Sequence, residues 1–218
     1  MTRRKSAFDT MAEKYDAWYD SDEGRLLYDS EAGCVRGLVP EGGPLLEVGV
    51  GTGRFASLFP GAFGVDPARG ALALAALRGV RVVEARGEAL PFRDESFAVV
   101  LIIATLGFVD DPLEALREAE RVLEKDGSIV VGLIPADSPW GRLYRGKKEE
   151  GHPFYGDSNL LAFEDLVGLL NGAGLRVAGV RSTLLHGPEE GQERREVAEG
   201  YVEGAGFVCV EAVKKCSG

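Results

Sequence analysis

The chain is poor in the side chains from which most metal and nucleophile sites are built. Its 218 residues include two histidines and three cysteines. Cys34, Cys209 and Cys216 are odd in number and lack ligand-type spacing, which argues against a disulfide framework and a zinc pattern. Cys34 and Cys209 sit in apolar patterns and read as small core residues, and Cys216 falls in the tail. No Ser-His-Asp ordering, metal-ligand cluster or Walker phosphate loop is present. No uninterrupted apolar run is long enough to span a bilayer. The start, MTRRKSAFDTMAEKYDAW, carries basic residues without an apolar core, so it does not read as a secretory signal. These absences predict a cytoplasmic protein without a membrane span. A basic block is missing too: 25 Lys and Arg stand against 35 Asp and Glu, for a net charge of −10. Nucleic-acid binding draws on cations that neutralise phosphates, so no nucleic-acid partner is expected, whereas a cationic ligand is tolerated.

What is present is ordinary in bulk, with 45% hydrophobic and 28% charged residues. The length suits one α/β domain over 1–218, with a sheet covered on both faces. Apolar runs alternate with segments of helical period, the pattern of βαβ units. Strands are predicted at Pro44–Val48, Ala62–Asp66, Val80–Ala85, Phe97–Ala104, Ser128–Ile134, Leu175–Leu185 and Gly206–Val213. They predict a doubly wound, mostly parallel, seven-stranded Rossmann-like sheet with an antiparallel edge. Residues 68–78 form one helix. Asp111-Pro112-Leu113-Glu114 starts another, which the apolar stripe carries to a stop at Gly127. A third begins at Phe163, where Ala162 occupies the cap position, and Gly174 ends it. Three segments stand outside the repeat. Residues 1–39, with two helices over 6–39, precede the first strand; 135–160 form an irregular, aromatic-rich insertion; 186–203 form a charged one.

The stretch Leu45 to Ala56, LLEVGVGTGRFA, is the most informative. A buried strand runs into Gly49, Gly51 and Gly53, and a helix-like segment follows. Glycine permits positive φ there, and its missing Cβ lets a ligand lie on the backbone. The dinucleotide fingerprint needs a third glycine where this chain has Arg54, so a nicotinamide dehydrogenase is disfavoured. The pattern is G-x-G-x-G beside Glu47, an acid that repels pyrophosphate and suits an ammonium or sulfonium group.

Four ordered motifs then resemble class I S-adenosylmethionine-dependent methyltransferases. They are the glycine loop, GVDP at Gly64–Pro67, GEALPFRDESF at Gly87–Phe97 and DDPLEALREAERVLEKDG at Asp110–Gly127. YDAWYDS at Tyr15–Ser21 is similar to the family's N-terminal lid. The nearest likeness is to the small-molecule branch related to ubiquinone and menaquinone biosynthesis. The resemblance covers residues 8–134 well and 161–185 loosely. It implies S-adenosylmethionine as cofactor, a small-molecule acceptor and the strand order 3-2-1-4-5-7-6. It further implies that Gly49 and Gly51, with Gly53 completing the loop, hold the methionine part and Glu47 favours its ammonium. Asp66, followed by Pro67, would hold the ribose. Gly87 and Glu88 would border the adenine, and Ala104 and Thr105 would face the methyl side. Where many relatives have Asp-Ala on the adenine, this chain has Arg86-Gly87.

Each assignment has a plainer alternative. The glycines can form only a tight turn, and Asp66 can cap the helix after Pro67. Glu88 can be a solvated loop acid. Tyr15, Trp18 and Tyr19 can be an ordinary apolar face. Arg25 is either a partner of the cofactor carboxylate or simply solvated. His152 and Tyr155 are the candidates to receive an acceptor proton, and His152 is otherwise a surface residue. The functional alternatives are a non-catalytic binder of the same cofactor and a protein or nucleic-acid methyltransferase.

Overall fold

The computed structural model describes residues 7–156, 158–190 and 196–215. Cys216 and part of the 186–203 segment fall outside them. The sheet has the strands β1 Leu45–Val48, β2 Phe63–Asp66, β3 Arg81–Glu84, β4 Phe97–Ile103, β5 Leu123–Leu133, β6 Leu175–Thr183, β7 Val197–Glu199 and β8 Phe207–Lys214. Their order is β3-β2-β1-β4-β5-β8-β6-β7. β1 to β5 are parallel, and β8 runs antiparallel between β5 and β6. With β8 as the seventh expected strand, this is the order 3-2-1-4-5-7-6. An eighth strand was not expected: β7 pairs antiparallel with β6 and makes the antiparallel edge. It has three residues inside a charged segment, too few for an alternating pattern to show.

Strand alternation divides the core. Leu46, Val48, Val100, Ile102, Ile129 and Val131 point to one face. Helices α5, Pro112–Val122, and α7, Phe163–Gly172, cover it with Leu116, Ala119, Leu166 and Leu170. Leu45, Val99, Leu101, Ile103 and Val130 point to the other face. It is covered by α3, Asp22–Arg36, α4, Arg69–Leu77, and α6, Pro139–Glu149. Cys34 and Cys209 are buried there, as expected of core residues.

Three local readings are corrected. The N-terminal segment holds three helices rather than two: α1 Ala7–Thr10, α2 Ala12–Trp18 and α3. Residues 135–160 are not irregular throughout. Ser138 caps α6 by accepting from the Gly141 N–H at 2.9 Å, and Pro139 takes the first helical position. Trp140 and Tyr144, four apart, bury that helix. Helix α5 stops at Val122 rather than Gly127, because Leu123 turns extended and pairs with Phe97 of β4. At α7 the missing side-chain cap on Ala162 is partly made good. Asp165 accepts from the Ala162 N–H at 3.2 Å, satisfying one of the donors that a helix start leaves open.

Candidate active site

The carboxyl ends of β1, β2, β4 and β5 open into a cavity of about 430 Å³. That is the size range of small-ligand sites, and parallel α/β sheets place ligands at this end of their strands. The glycine loop is hung from β2: the Gly49 and Val50 N–H groups donate to the Val65 carbonyl at 2.8 and 2.9 Å. Gly51 has φ +51°, and a Cβ there would project into open space. Gly53, φ +83°, does a different job. A Cβ on it would stand 2.8 Å from Ala75, so it lets α4 pack closely and does not line the cavity. Asp66 ends β2 and braces the turn that leads into α4, whose N-cap is Ala68 with no side-chain cap. Its carboxylate accepts from the Gly51 N–H at 3.0 Å and from the Ala68 N–H at 2.7 Å, at the edge of the cavity. Pro67 lines the cavity beside it.

Glu47 is 2% exposed, and its Oε2 has no hydrogen-bond partner among the described residues. Burial pushes its carboxyl well above the ordinary range, against a backbone hydrogen bond from Ala56, and the charge of Asp66 adds to the rise. Thr105, at the end of β4, donates to the Ile103 carbonyl at 2.9 Å. Ala104 before it has φ +50°, a conformation that a residue with Cβ rarely adopts. Gly87 also lines the cavity, where a Cβ on it would stand 3.0 Å from Val48 and 3.8 Å from Val109. Glu88 is anchored there: Arg86 donates to it at 3.0 Å and the Asp110 N–H at 2.8 Å. Burial raises the Glu88 carboxyl, but the Arg86 guanidinium and the backbone donors outweigh it and hold the group below its ordinary range.

The structure therefore brings Glu47, Gly49, Gly51, Asp66, Pro67, Gly87, Glu88, Ala104, Thr105, Tyr15 and Tyr155 to one cavity. It does not bring Arg25, which is exposed and donates to the Asp20 carbonyl at 3.2 Å. His152 is also outside the lining, with its ring 4.9 Å from that of Tyr155. Burial drives the Tyr155 hydroxyl far above its ordinary range, so it is a hydrogen-bond donor rather than a base.

Two features escaped the sequence reading. Arg54, noticed only as a missing glycine, donates to Asp16 of α2 from Nε at 2.8 Å and to Asp20 at 3.1 Å. Glu31 of α3 also lines the cavity. Its signal was available: it lies four residues from both Leu27 and Val35, in the middle of the buried stripe of α3.

Comparison with known proteins agrees with this geometry. Residues 46–131 match the family model described as a methyltransferase domain. A solved structure described as a SAM-dependent methyltransferase, possible histamine N-methyltransferase, from Thermotoga maritima is 40% identical with a TM-score of 0.87. The match covers 95% of this chain and 98% of that one. A protein of Mycobacterium tuberculosis is 43% identical over 204 residues, 93% of this chain and 72% of its own length. One of Methanocaldococcus jannaschii is 39% identical over 209 residues, 96% of this chain and 99% of its own. The chain belongs to the class I S-adenosylmethionine-dependent methyltransferases and is an enzyme. Among the described residues no helix is long and apolar enough to cross a membrane.

Proposed function

We propose that the protein transfers the methyl group of S-adenosylmethionine to a small-molecule acceptor held in the aromatic part of the cavity. The observation that carries this is Gly51, whose missing side chain leaves the cavity open between Glu47 and Asp66. An orphaned buried carboxylate oxygen on Glu47 fits a cationic ammonium, and the Asp66 carboxylate fits a ribose diol. Gly49 and Gly51 hold the methionine part by backbone. Gly87 and Glu88 border the adenine, with the Arg86–Glu88 pair where many relatives have an aspartate. Pro67 flanks the ribose, and Ala104 and Thr105 face the methyl side. The cofactor supplies an activated methyl on a sulfonium. The protein's own task is to align the acceptor with it and to exclude water.

The lid role is read from α1 and α2 and from the segment after β5. Phe8 and Tyr15 meet Phe154 with ring centroids 5.4 and 5.2 Å apart, which joins residues 8–28 to 135–160. The kinship to the quinone branch rests on the motifs alone. The histamine in the name of the Thermotoga protein belongs to that protein. Both are compatible with a small-molecule acceptor. Calorimetric titration with S-adenosylmethionine, S-adenosylhomocysteine and NAD tests the cofactor. The first two are expected to bind and NAD not to; tight NAD binding without S-adenosylmethionine binding would falsify the reading.

A further inference from the structure

Glu31 is half-buried at a position of α3 otherwise held by apolar core residues, and it has the chemistry of an acid. On α3 it falls between Leu27 and Val35, both buried. It lines the cavity, and its carboxyl makes no hydrogen bond or ion pair among the described residues. The groups that feel its charge are hydroxyls and a thiol from four separate parts of the chain. They are Tyr15 and Tyr19 of the N-terminal segment, Tyr144 of α6, Tyr155 of the following loop, and Cys209 of β8. The tyrosines pack on one another, with ring centroids 4.7 Å apart for Tyr144 and Tyr155 and 5.5 Å for Tyr15 and Tyr19. Among the described residues no cation is paired with it.

A carboxylate out of water needs a counter-charge or donors, and without them it takes up a proton. Burial accordingly pushes Glu31 up to about 8. Aromatic faces attract a cation and give nothing comparable to an anion. The acid and the rings therefore select for the same ligand. Resting on the methyl-transfer reading above, we propose that Glu31 receives the ammonium group of an amine acceptor in this aromatic enclosure and takes its proton. The step balances. The N–H bond breaks, an O–H bond forms on Glu31, and the electron pair stays on nitrogen. That pair then makes the new C–N bond while the methyl–sulfur pair departs with sulfur. Product leaves as the methylammonium ion, and Glu31 is left protonated, as it was before the cation bound.

The test compares amines with their alcohol counterparts: benzylamine with benzyl alcohol, phenethylamine with 2-phenylethanol, tryptamine with tryptophol. Each is titrated calorimetrically into the wild type and into Glu31→Gln, with and without saturating S-adenosylhomocysteine. Glu31→Met is a second neutral variant in case the amide does not fold. In the wild type at least one amine is expected to bind tenfold or more tightly than its alcohol. In the neutral variants that preference should fall to within about threefold, with S-adenosylhomocysteine affinity changed by less than threefold. An amine preference absent from the wild type, or equal in the variants, overturns the proposal. So does a tenfold loss of S-adenosylhomocysteine affinity in Glu31→Gln, which would assign the acid to the cofactor's own ammonium. Failure of the wild type to bind either nucleoside would sink the cofactor reading instead. The titrations without nucleoside still decide the role of Glu31.

Discussion

Asp16 is where the N-terminal helices are fastened to the glycine loop, and removing it should open that fastening. Its carboxylate accepts from Thr52 Oγ1 at 2.7 Å, from Arg54 Nε and Nη2 at 2.8 and 3.0 Å, and from Arg78 Nη2 at 2.6 Å. The group is well enclosed: side-chain exposure is 13% for Asp16, 14% for Arg54 and 28% for Arg78. Hydrogen bonds to charged groups contribute roughly 1.5–3 kcal/mol each, and they are not additive within one network. Asp16→Ala leaves Arg54 with Asp20 and with the Asp16 main-chain carbonyl, and leaves Arg78 with the Thr52 carbonyl. Some compensation therefore survives, and a net loss of about 2–3 kcal/mol is the reasoned figure. At 1.4 kcal/mol per factor of ten, that is roughly a 30- to 150-fold rise in opening of this segment. Amide hydrogen exchange over residues 12–18 measures it directly, because local opening sets protection there. Exchange within threefold of wild type across those residues would refute the latch.

The same network sets a pH signature. Burial raises the Asp16 carboxyl, but the bonds from Arg54, Thr52 and Arg78 outweigh it, and the group sits below its ordinary value of 3.8. An acid whose folded value is depressed stabilises the fold above its unfolded value, and that contribution disappears as pH falls through the folded value. The fastening is thus intact at neutral pH and is lost only in acid, below the ordinary carboxylate range. Asp16→Asn should remove that acid-dependent step and start from the weakened state at neutral pH.

Two further substitutions probe the cofactor end. Asp66→Ala should weaken S-adenosylhomocysteine binding by about 1.5–3 kcal/mol in a folded protein, measured by calorimetry. Because it also strips the Gly51 and Ala68 N–H groups of their acceptor, some loss of melting temperature should accompany it. Unchanged affinity would reduce Asp66 to a brace for the loop. Gly51→Val should abolish binding, since the side chain would enter the open part of the cavity from a backbone at φ +51°. A folded variant that still bound the nucleoside normally would move the site elsewhere.

Legibility in this chain follows the range of the interactions. Leu45 to Gly53 could be read because strand, turn and acid are consecutive, and Asp66 because it ends the next strand. Pro112 at a helix start and Glu114 behind it were equally local. The Ser138-Pro139 start signal of α6 is of the same kind. It was masked by Gly141 and Gly146, and by a charged tail that hides the two buried aromatics. Gly53 shows the opposite error. Its spacing grouped it with the cavity-lining glycines Gly49 and Gly51, whereas its neighbour is Ala75 in the helix that follows β2. Arg25 stands at a plausible place along α3 but on the exposed side of it.

What could not be read is chemistry made between distant segments. Arg54 looked like the absence of a glycine. Its meaning lies in Asp16, 38 positions earlier, and Arg78 meets the same carboxylate across 62. No window of sequence contains that triad, and each member alone is a common surface residue. Glu31 is the intermediate case. The helix period places it in the buried stripe of α3, so its position could be inferred locally. The tyrosines that share its cavity come from 15, 19, 144 and 155 and could not. A charged residue in an apolar stripe is therefore the part of such a site that sequence can reveal. It marks where a ligand must supply what the core does not, and it leaves the ligand's identity to the fold.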